Sequence, residues 1–174
     1  MVLHMTKELT QILLINTGGT FNKRYNPITG DLNVLQNNEV IEDILKHHYN
    51  LNYTIHGMIF KDSLDITQQD RIDLLDFIQK QENKKIIIIH GTDTIDQTAT
   101  FLAKQNLDKT IILTAAMIPY SIEQIEATAN LSLALGAIQF IDINNIFIAI
   151  SGIIKDYTLV QKDKSIGVFK YKNK

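Results

Sequence analysis

Residues 86–94 of this 174-residue chain read Ile-Ile-Ile-Ile-His-Gly-Thr-Asp-Thr. Four consecutive isoleucines predict a strand over residues 85–90 that is buried on both faces, as central strands of parallel sheets are. The strand runs into a glycine and three polar residues, a composition typical of a loop. In an open α/β sheet this loop lies at the carboxyl edge of the strands, which is where ligands bind.

A second segment has the same layout nearer the start of the chain. Residues 12–15 are apolar, and Thr-Gly-Gly-Thr follows at positions 17–20. If the two strands are neighbours, Thr20, Thr92 and Asp93 meet in one crevice, and that set suits nucleophilic chemistry by a hydroxyl group. The chain contains no cysteine, which excludes thiol nucleophiles, disulfides and thiolate metal sites.

The apolar pattern predicts that strands and helices alternate along the rest of the chain. We expect further strands over residues 11–16, 53–60, 110–115 and 145–150, and helices over residues 39–48, 66–81, 96–105 and 121–140. Residues 21–35 predict a loop or irregular hairpin, and residues 157–160 and 166–169 are short strand candidates. This order predicts one α/β domain over residues 1–174, Rossmann-like or flavodoxin-like, with a mostly parallel sheet and helices on both faces.

Several helix ends can be predicted from local signals. His47 and His48 are expected to close the first helix, where the helix dipole favours positive charge. Thr67 is the expected N-cap of the second helix, and Ser121 opens a capping-box pattern at the start of the last. The apolar stripe of the second helix is expected at Ile72, Leu75 and Ile78.

The composition argues against several function classes. A net charge of −2, with 21% charged residues, gives no reason to expect nucleic acid or a membrane surface as a partner. No stretch reaches the roughly 20 apolar residues that span a bilayer. The first ten residues do not resemble a secretory signal, so we expect a cytoplasmic protein. Met5 is an alternative start, so we expect residues 1–4 to have no functional role.

Neither a metal nor a cofactor is expected. His47 and His48 are adjacent and point in different directions on a helix, which does not suit a metal site. His90 follows a run of isoleucines, and a hydrogen-bonded buried histidine is the favoured interpretation over an acid or base. Thr20 can also satisfy a turn amide, and Asp93 can cap the helix that follows, so the residues alone leave structural roles open.

Three segments together resemble the bacterial L-asparaginase/glutaminase family. They are Thr-Gly-Gly-Thr at 17–20, Asp-Ser-Leu-Asp at 62–65 and His-Gly-Thr-Asp-Thr at 90–94. Residues 115–119, Ala-Ala-Met-Ile-Pro, are similar to the family's Gly-Ala-Met-Arg-Pro segment, and Asn130 with Leu131 matches its Asn-Leu pair. The resemblance covers residues 11–169 and implies the fold of the asparaginase N-terminal domain.

The resemblance also implies an activity, the hydrolysis of L-asparagine, or of L-glutamine, to the acid and ammonia. In that activity Thr20 is the nucleophile and Thr92 the second catalytic threonine. The family's relay lysine matches Lys162, with Lys164 as the alternative. Asp93 is implied to bind the substrate α-amino group.

The remaining implied site residues surround this set. Ser63 matches the serine that binds the substrate α-carboxylate, and Tyr25 matches the lid tyrosine. Gly19, Leu64, Gly91 and Ala116 would complete the substrate pocket. Backbone amides near the Gly-Gly turn and near Ala116 are expected to stabilise the oxyanion. Leu64 stands where the family often has glutamine, and Ile118 replaces the arginine before the proline.

The family's usual enzymes carry a second, C-terminal domain, and a neighbouring subunit completes each active site. The present sequence corresponds to the first domain, which leaves two hypotheses. One is a short asparaginase that forms a homodimer or higher homo-oligomer, acting on asparagine or on another amide. The other is a catalytically weak or inactive amino-acid-binding or subunit-interaction module.

Overall fold

The computed structural model describes residues 11–172, so the expected alternative start at Met5 lies outside the described part. Its strands are β1 (Ile12–Gly18), β2 (Lys23–Tyr25), β3 (Leu32–Val34), β4 (Tyr53–Lys61), β5 (Lys85–Ile89), β6 (Thr110–Thr114), β7 (Ile146–Ile150), β8 (Ile153–Asp156), β9 (Val160–Asp163) and β10 (Val168–Tyr171). Its α-helices are α1 (Glu39–Leu45), α2 (Gln68–Gln79), α3 (Ile95–Ala103) and α4 (Gln124–Phe140).

The main sheet has six strands in the order β4-β1-β5-β6-β7-β8. Neighbours from β4 to β7 pair in parallel, and β8 closes one edge antiparallel to β7. Residues of α2 and α3 pack into the core on one face, and residues of α1 and α4 pack into the core on the other. The predicted α/β fold, a mostly parallel sheet with helices on both faces, is confirmed.

The isoleucine run of β5 shows why the sheet is buried on both faces. Ile86 and Ile88 point into the core beneath α2 and α3, whereas Ile87 and Ile89 point into the core beneath α1 and α4. All four side chains are fully buried, because alternate residues of a strand face opposite sides of the sheet. The strand that the sequence predicts as central is therefore central.

The first helix is shorter than predicted. It ends at Leu45, and His47 and His48 lie beyond it in a turn. The His48 amide donates to the Leu45 carbonyl, and its Nδ1 atom lies 3.1 Å from the Ile44 carbonyl oxygen. His48 therefore contacts the last turn from outside the helix, because a tight turn replaces the final helical residues.

The second helix begins as predicted, and Leu75 and Ile78 of the predicted apolar stripe pack against the core. Thr67 caps it, since the Thr67 hydroxyl accepts from the Asp70 amide and the Asp70 carboxylate accepts from the Thr67 amide. The prediction for Ile72 is wrong, because that side chain is 37% exposed. The buried residues are Arg71, Leu74 and Ile78, and the hydrogen bonds of Arg71 hold this face against the core.

The fourth helix begins at a different cap. Glu123, rather than Ser121, accepts hydrogen bonds from the amides of Ile125 and Glu126. A turn in which the Glu123 amide donates to the Pro119 carbonyl precedes the helix. The Ser121 hydroxyl instead donates to the Lys23 carbonyl at 2.8 Å, so the predicted capping box does not form.

The two hairpins follow the sequence only in part. Residues 21–35 contain the antiparallel pair β2–β3, as the hairpin interpretation expects. The strand predicted over residues 157–160 is wrong, because Tyr157–Leu159 forms a 3₁₀ turn that the Asp156 carboxylate caps. The strands lie on either side of that turn, and β9 pairs with β10 in a second antiparallel hairpin.

Candidate active site

Three loops meet at the carboxyl edge of the sheet because β1 lies between β4 and β5. A methyl group built on Gly19 would lie 2.5 Å from Gly91 Cα, and one on Gly91 would lie 2.5 Å from Ser63 Cβ. Such approaches are possible only where no side chain intervenes. Gly19 also has a φ of 71°, a backbone conformation that favours glycine. The glycines therefore allow the three loops to stack directly against one another.

Lys162 lies at the centre of the most polar part of this edge. Its Nζ atom donates to Thr92 Oγ1 and to Asp93 Oδ1, each at 2.8 Å. The Lys162 side chain is 13% exposed and that of Asp93 is 33% exposed, so the ion pair is shielded on one side and open on the other. Of the two lysines predicted as the relay partner, Lys162 makes these contacts, whereas Lys164 is exposed beyond the end of β9.

Ser63 supports the loop of residues 90–94, hereafter the Thr92 loop, from the opposite side. Its Oγ atom accepts from the Asp93 amide at 3.1 Å, and its carbonyl accepts from the Thr94 hydroxyl at 2.7 Å. Ser63 is only 1% exposed. Because its oxygen accepts from the protein, the hydroxyl proton is the part of the side chain that can bind an anion.

Asp62 and Leu64 flank Ser63 and face different surroundings. The Asp62 carboxylate accepts from the Leu64 amide and pairs with Lys23 Nζ at 2.5 Å. Burial opposes ionisation of Asp62, but the hydrogen bonds from Lys23 and Leu64 outweigh it and lower the carboxyl pKa. Leu64 is exposed at the surface, beside a cleft of about 530 Å³. Lys23 thus ties the β2–β3 hairpin to the Ser63 loop.

Thr20 begins the 3₁₀ turn that leads from β1 into this hairpin. We call residues 20–34 the Thr20 hairpin. The Thr20 side chain is half-buried, and its hydroxyl makes no hydrogen bond among the described residues. Thr17, the residue directly before the two glycines, differs from Thr20. Its hydroxyl donates to the Ile89 carbonyl at 2.9 Å and therefore has a structural role.

Tyr25 lies on β2 and is 55% exposed. It lines a cleft of about 580 Å³ together with Asp43 and Tyr120, and neither Thr20 nor Thr92 lines that cleft. The Tyr120 hydroxyl donates to Asp43, and burial together with this carboxylate raises the pKa of Tyr120 to about 12. A contact between Tyr25 and Thr20 stays a prediction.

Four of the backbone amides near the Gly-Gly turn and Ala116, where an oxyanion hole is predicted, already have partners. Gly18 N donates to Asn16 Oδ1 and Gly19 N to the Lys61 carbonyl. After Ala116, which is fully buried, the amides of residues 117 and 118 both donate to the Glu126 carboxylate at 2.9 Å. These four amides hold the two turns in shape, and in this conformation none of them is free for an oxyanion.

His90 is buried directly behind the Thr92 loop. Its Nδ1 atom lies 2.9 Å from the Gly91 carbonyl oxygen and its Nε2 atom 2.9 Å from Thr98 Oγ1. Burial lowers the pKa of His90 to about 4 despite the carbonyl contact, and the charge of Arg71 acts in the same direction. His90 is therefore neutral near pH 7, as the interpretation of a hydrogen-bonded buried histidine expects.

Sequence reasoning missed the residues that contact His90 from behind. Arg71 Nε donates to Thr98 Oγ1 at 3.1 Å, and Arg71 is only 7% exposed. A single arginine in a helix carries no signal of burial, since arginine is mostly exposed. A hint in the sequence is that Arg71 shares a helix face with the apolar residues Leu74 and Ile78.

The fold and the residues at the carboxyl edge of the sheet define a class of protein. It is an α/β domain in which a Thr-Gly-Gly-Thr turn packs against a Thr-Asp loop, and that loop contacts a lysine far away in the sequence. The sequence profile described as asparaginase, N-terminal, matches residues 11–170. The chain therefore belongs to the asparaginase family. A search of curated protein sequences finds no match.

Solved structures with the same fold include three asparaginases. The thermostable L-asparaginase from Thermococcus kodakarensis aligns with a TM-score of 0.81 at 24% identity, covering 92% of this chain and 51% of its own. L-asparaginase I from Vibrio cholerae aligns at 0.77 and 24%, covering 94% and 52%. A probable cytoplasmic L-asparaginase from Campylobacter jejuni aligns at 0.81 and 22%, covering 93% and 53%. The present chain spans about half the length of these relatives.

A search of residues 11–172 for a helix long and apolar enough to cross a membrane finds none. Over the same residues, no group of three or more histidine, cysteine, aspartate or glutamate side chains is arranged to hold a metal ion.

Proposed function

We propose that this chain hydrolyses L-asparagine to L-aspartate and ammonia, with Thr20 as the nucleophile. The observation that carries the proposal is the contact of Lys162 with both Thr92 and Asp93. An ammonium group beside a hydroxyl favours its deprotonated form, which lets the Thr92 oxygen take and return a proton. Membership of the asparaginase family supports the reaction class.

The proposed reaction divides amide hydrolysis into two steps. Thr20 Oγ attacks the side-chain amide carbon, its proton passes through Thr92 to the departing nitrogen, and ammonia leaves. Water then attacks the resulting ester, returning a proton to Thr20 and releasing aspartate. Lys162 stabilises the charge that develops on Thr92 during each transfer.

The substrate's α-groups would be held by residues beside the proposed relay. Asp93 offers its partly exposed carboxylate to the α-ammonium, and the Ser63 hydroxyl proton faces the α-carboxylate. The backbone of Gly19, Gly91 and Ala116 lines the pocket, with Leu64 at its mouth and Tyr25 on the covering hairpin. Leu64 in place of glutamine removes one polar contact, so we expect weak discrimination between asparagine and glutamine.

Ammonia release from asparagine and glutamine tests this proposal. We expect Thr20→Ala, Thr92→Val and Lys162→Met each to lower kcat/KM by at least about 1000-fold, because groups acting in one proton relay fail together. Lys164→Met is the matched control, since it removes a nearby lysine that does not contact Thr92, and it should keep the parent's rate. Absence of turnover in the parent, or equal rates in Lys162→Met and Lys164→Met, contradicts the proposal.

The occupied amides at the Gly-Gly turn and after Ala116 favour one alternative, an amino-acid-binding module with little or no catalysis. In that case Ser63 and Asp93 still bind the α-groups, but no oxyanion forms. Isothermal calorimetry with L-aspartate separates the two functions. Binding that Asp93→Asn abolishes, together with no ammonia release from either amide, supports the binding module.

We further propose that the chain acts as one domain in the cytoplasm and assembles into a homodimer or higher oligomer. Ile122, just before α4, and Ile125, in its first turn, are 63% and 77% exposed, and exposed apolar groups favour association. Sedimentation equilibrium should then give a mass above that of one 19.8 kDa chain. A monomer at concentrations where the protein is active contradicts this assembly.

A further inference from the structure

A buried chain of hydrogen bonds runs from α2 to the Thr92 loop. Arg71 Nη1 donates to the carbonyls of Ile66 and Thr67, each at 3.2 Å, and Arg71 Nε donates to Thr98 Oγ1. Thr98 Oγ1 lies 2.9 Å from Nε2 of His90. Arg71, Thr98 and His90 are all at least nine-tenths buried.

The chemistry of the donors determines the direction of every bond in this chain. A guanidinium group can only donate, so the Thr98 oxygen accepts from Arg71. The Gly91 carbonyl oxygen near Nδ1 can also only accept, so in the neutral ring of His90 the proton is not on Nε2, and Nε2 accepts from the Thr98 hydroxyl. The other ring nitrogen, Nδ1, holds the proton and donates it to the Gly91 carbonyl at 2.9 Å.

We propose that Arg71 and Thr98 are positioning residues, which hold His90 in its neutral Nδ1–H tautomer and thereby fix the Gly91 carbonyl and the Thr92 loop. The opposite tautomer would place two lone pairs between Nδ1 and the Gly91 carbonyl, and the Thr98 hydroxyl would have to turn its proton away from Nε2. Both contacts are buried, where unpaired polar groups are costly.

The Thr92 loop, which these hydrogen bonds support, carries the polar contacts of the candidate active site. Gly91 is followed directly by Thr92 and Asp93, and the Asp93 amide donates to Ser63 Oγ at 3.1 Å. Arg71 also holds the carbonyls of residues 66 and 67, which connect the Ser63 turn to α2. These hydrogen bonds therefore support two segments: the Thr92 loop, which contacts Lys162, and the turn that contains Ser63. The effect of this support on turnover rests on the proposed function, whereas the support of the loop itself does not.

Nitrogen-15 NMR of imidazole-labelled protein tests the tautomer. Long-range proton–nitrogen correlations should show His90 near pH 7 with a protonated Nδ1 and an unprotonated Nε2. The signal is assigned as the one that disappears in His90→Asn. A protonated Nε2, or a doubly protonated ring, overturns the proposal.

Amide hydrogen exchange of Asp93 tests the bracing. Thr98→Val keeps the shape of the side chain and removes its hydroxyl, and we expect it to speed Asp93 exchange roughly tenfold, the effect of losing one buried hydrogen bond. Thr98→Ser restores the hydroxyl and should exchange like the parent. Thr100→Val, on the same helix, is the control for a lost hydroxyl elsewhere. Equal exchange in Thr98→Val and Thr98→Ser overturns the proposal.

Both readouts are independent of activity, so they separate this inference from the proposed function. If Thr98→Val does not fold, the parent tautomer and the Thr98→Ser exchange rate still decide. Where ammonia release is present, Thr98→Val should lower kcat/KM, because the loop that moves carries both Thr92 and the proposed substrate contact Asp93.

Discussion

Thr92 and Thr20 each follow a glycine at the end of neighbouring parallel strands, yet their surroundings differ. The Thr92 side chain is buried and accepts from Lys162, and its loop is braced by Ser63 and by His90. The Thr20 hydroxyl has no hydrogen bond among the described residues, and its hairpin is tied to neighbouring segments by the Lys23–Asp62 ion pair and by the Ser121 hydroxyl, which donates to the Lys23 carbonyl. One half of the candidate site is thus organised in advance, and the other half depends on how the hairpin closes.

The contact between the two halves should be the most sensitive to substitution. In Gly19→Ala the new methyl group would meet the Gly91 backbone at 2.5 Å, in a left-handed conformation. Overpacking and strain together should lower the free energy of unfolding by roughly 4 kcal/mol. Urea denaturation of the variant measures this loss.

Gly30→Ala is the matched control for that substitution. Gly30 has a similar φ of +78°, but a Cβ there would meet nothing within 4 Å. We expect a loss of only about 1 kcal/mol, the cost of the backbone conformation alone. Similar losses in both variants would show that the two loops do not touch as described.

The Thr92 half should respond strongly to acid through His90. Its pKa of about 4 lies below the value of 6.5 for an unfolded histidine, so the native state binds fewer protons between these values. Stability therefore falls as pH decreases from about 6.5 to 4, by about 3 kcal/mol from this group. Urea denaturation across this range measures the slope.

Comparison of variants isolates the contribution of His90 from that of the carboxyl groups. His90→Asn should flatten the slope between pH 6.5 and 4, because no buried imidazole remains to be protonated. His47→Gln alters an exposed histidine and should keep the parent's slope. If both variants behave like the parent, His90 is not buried as a neutral ring.

The Thr20 half should show the smallest change in stability. Lys23→Met removes the ion pair with Asp62, in which the two side chains are 21% and 27% exposed. We expect the free energy of unfolding to fall by about 1 kcal/mol or less. The more informative readout is local: amides of residues 23–34 should exchange faster, while those of residues 86–94 stay unchanged. Arg24→Met, at an exposed and longer ion pair, is the control.

A uniform increase in exchange after Lys23→Met would contradict the comparison, since it would mean that the hairpin and the Thr92 loop open together. Faster exchange confined to the hairpin supports two halves of unequal stability.

The core could be read from the sequence because periodicity alone carries that information. Four isoleucines in a row predict burial on both faces, and β5 has it. Local capping signals were less dependable: Thr67 caps α2 as expected, whereas Ser121 gives its hydroxyl to Lys23 of the distant hairpin. The two cases differ because only the second competes with a tertiary contact.

The site could be read in part because its residues follow strands of a parallel sheet, whose carboxyl ends share one edge. The sequence by itself determined the α/β class and the double burial of β5, since both follow from the hydrophobic pattern, whereas the adjacency of the two glycine loops depended on β1 lying beside β5. Only the tertiary structure decided that Lys162 rather than Lys164 contacts Thr92, which way Arg71 faces, and which amides are already bonded. Those outcomes depend on distances between segments up to 70 residues apart, and no local pattern encodes them.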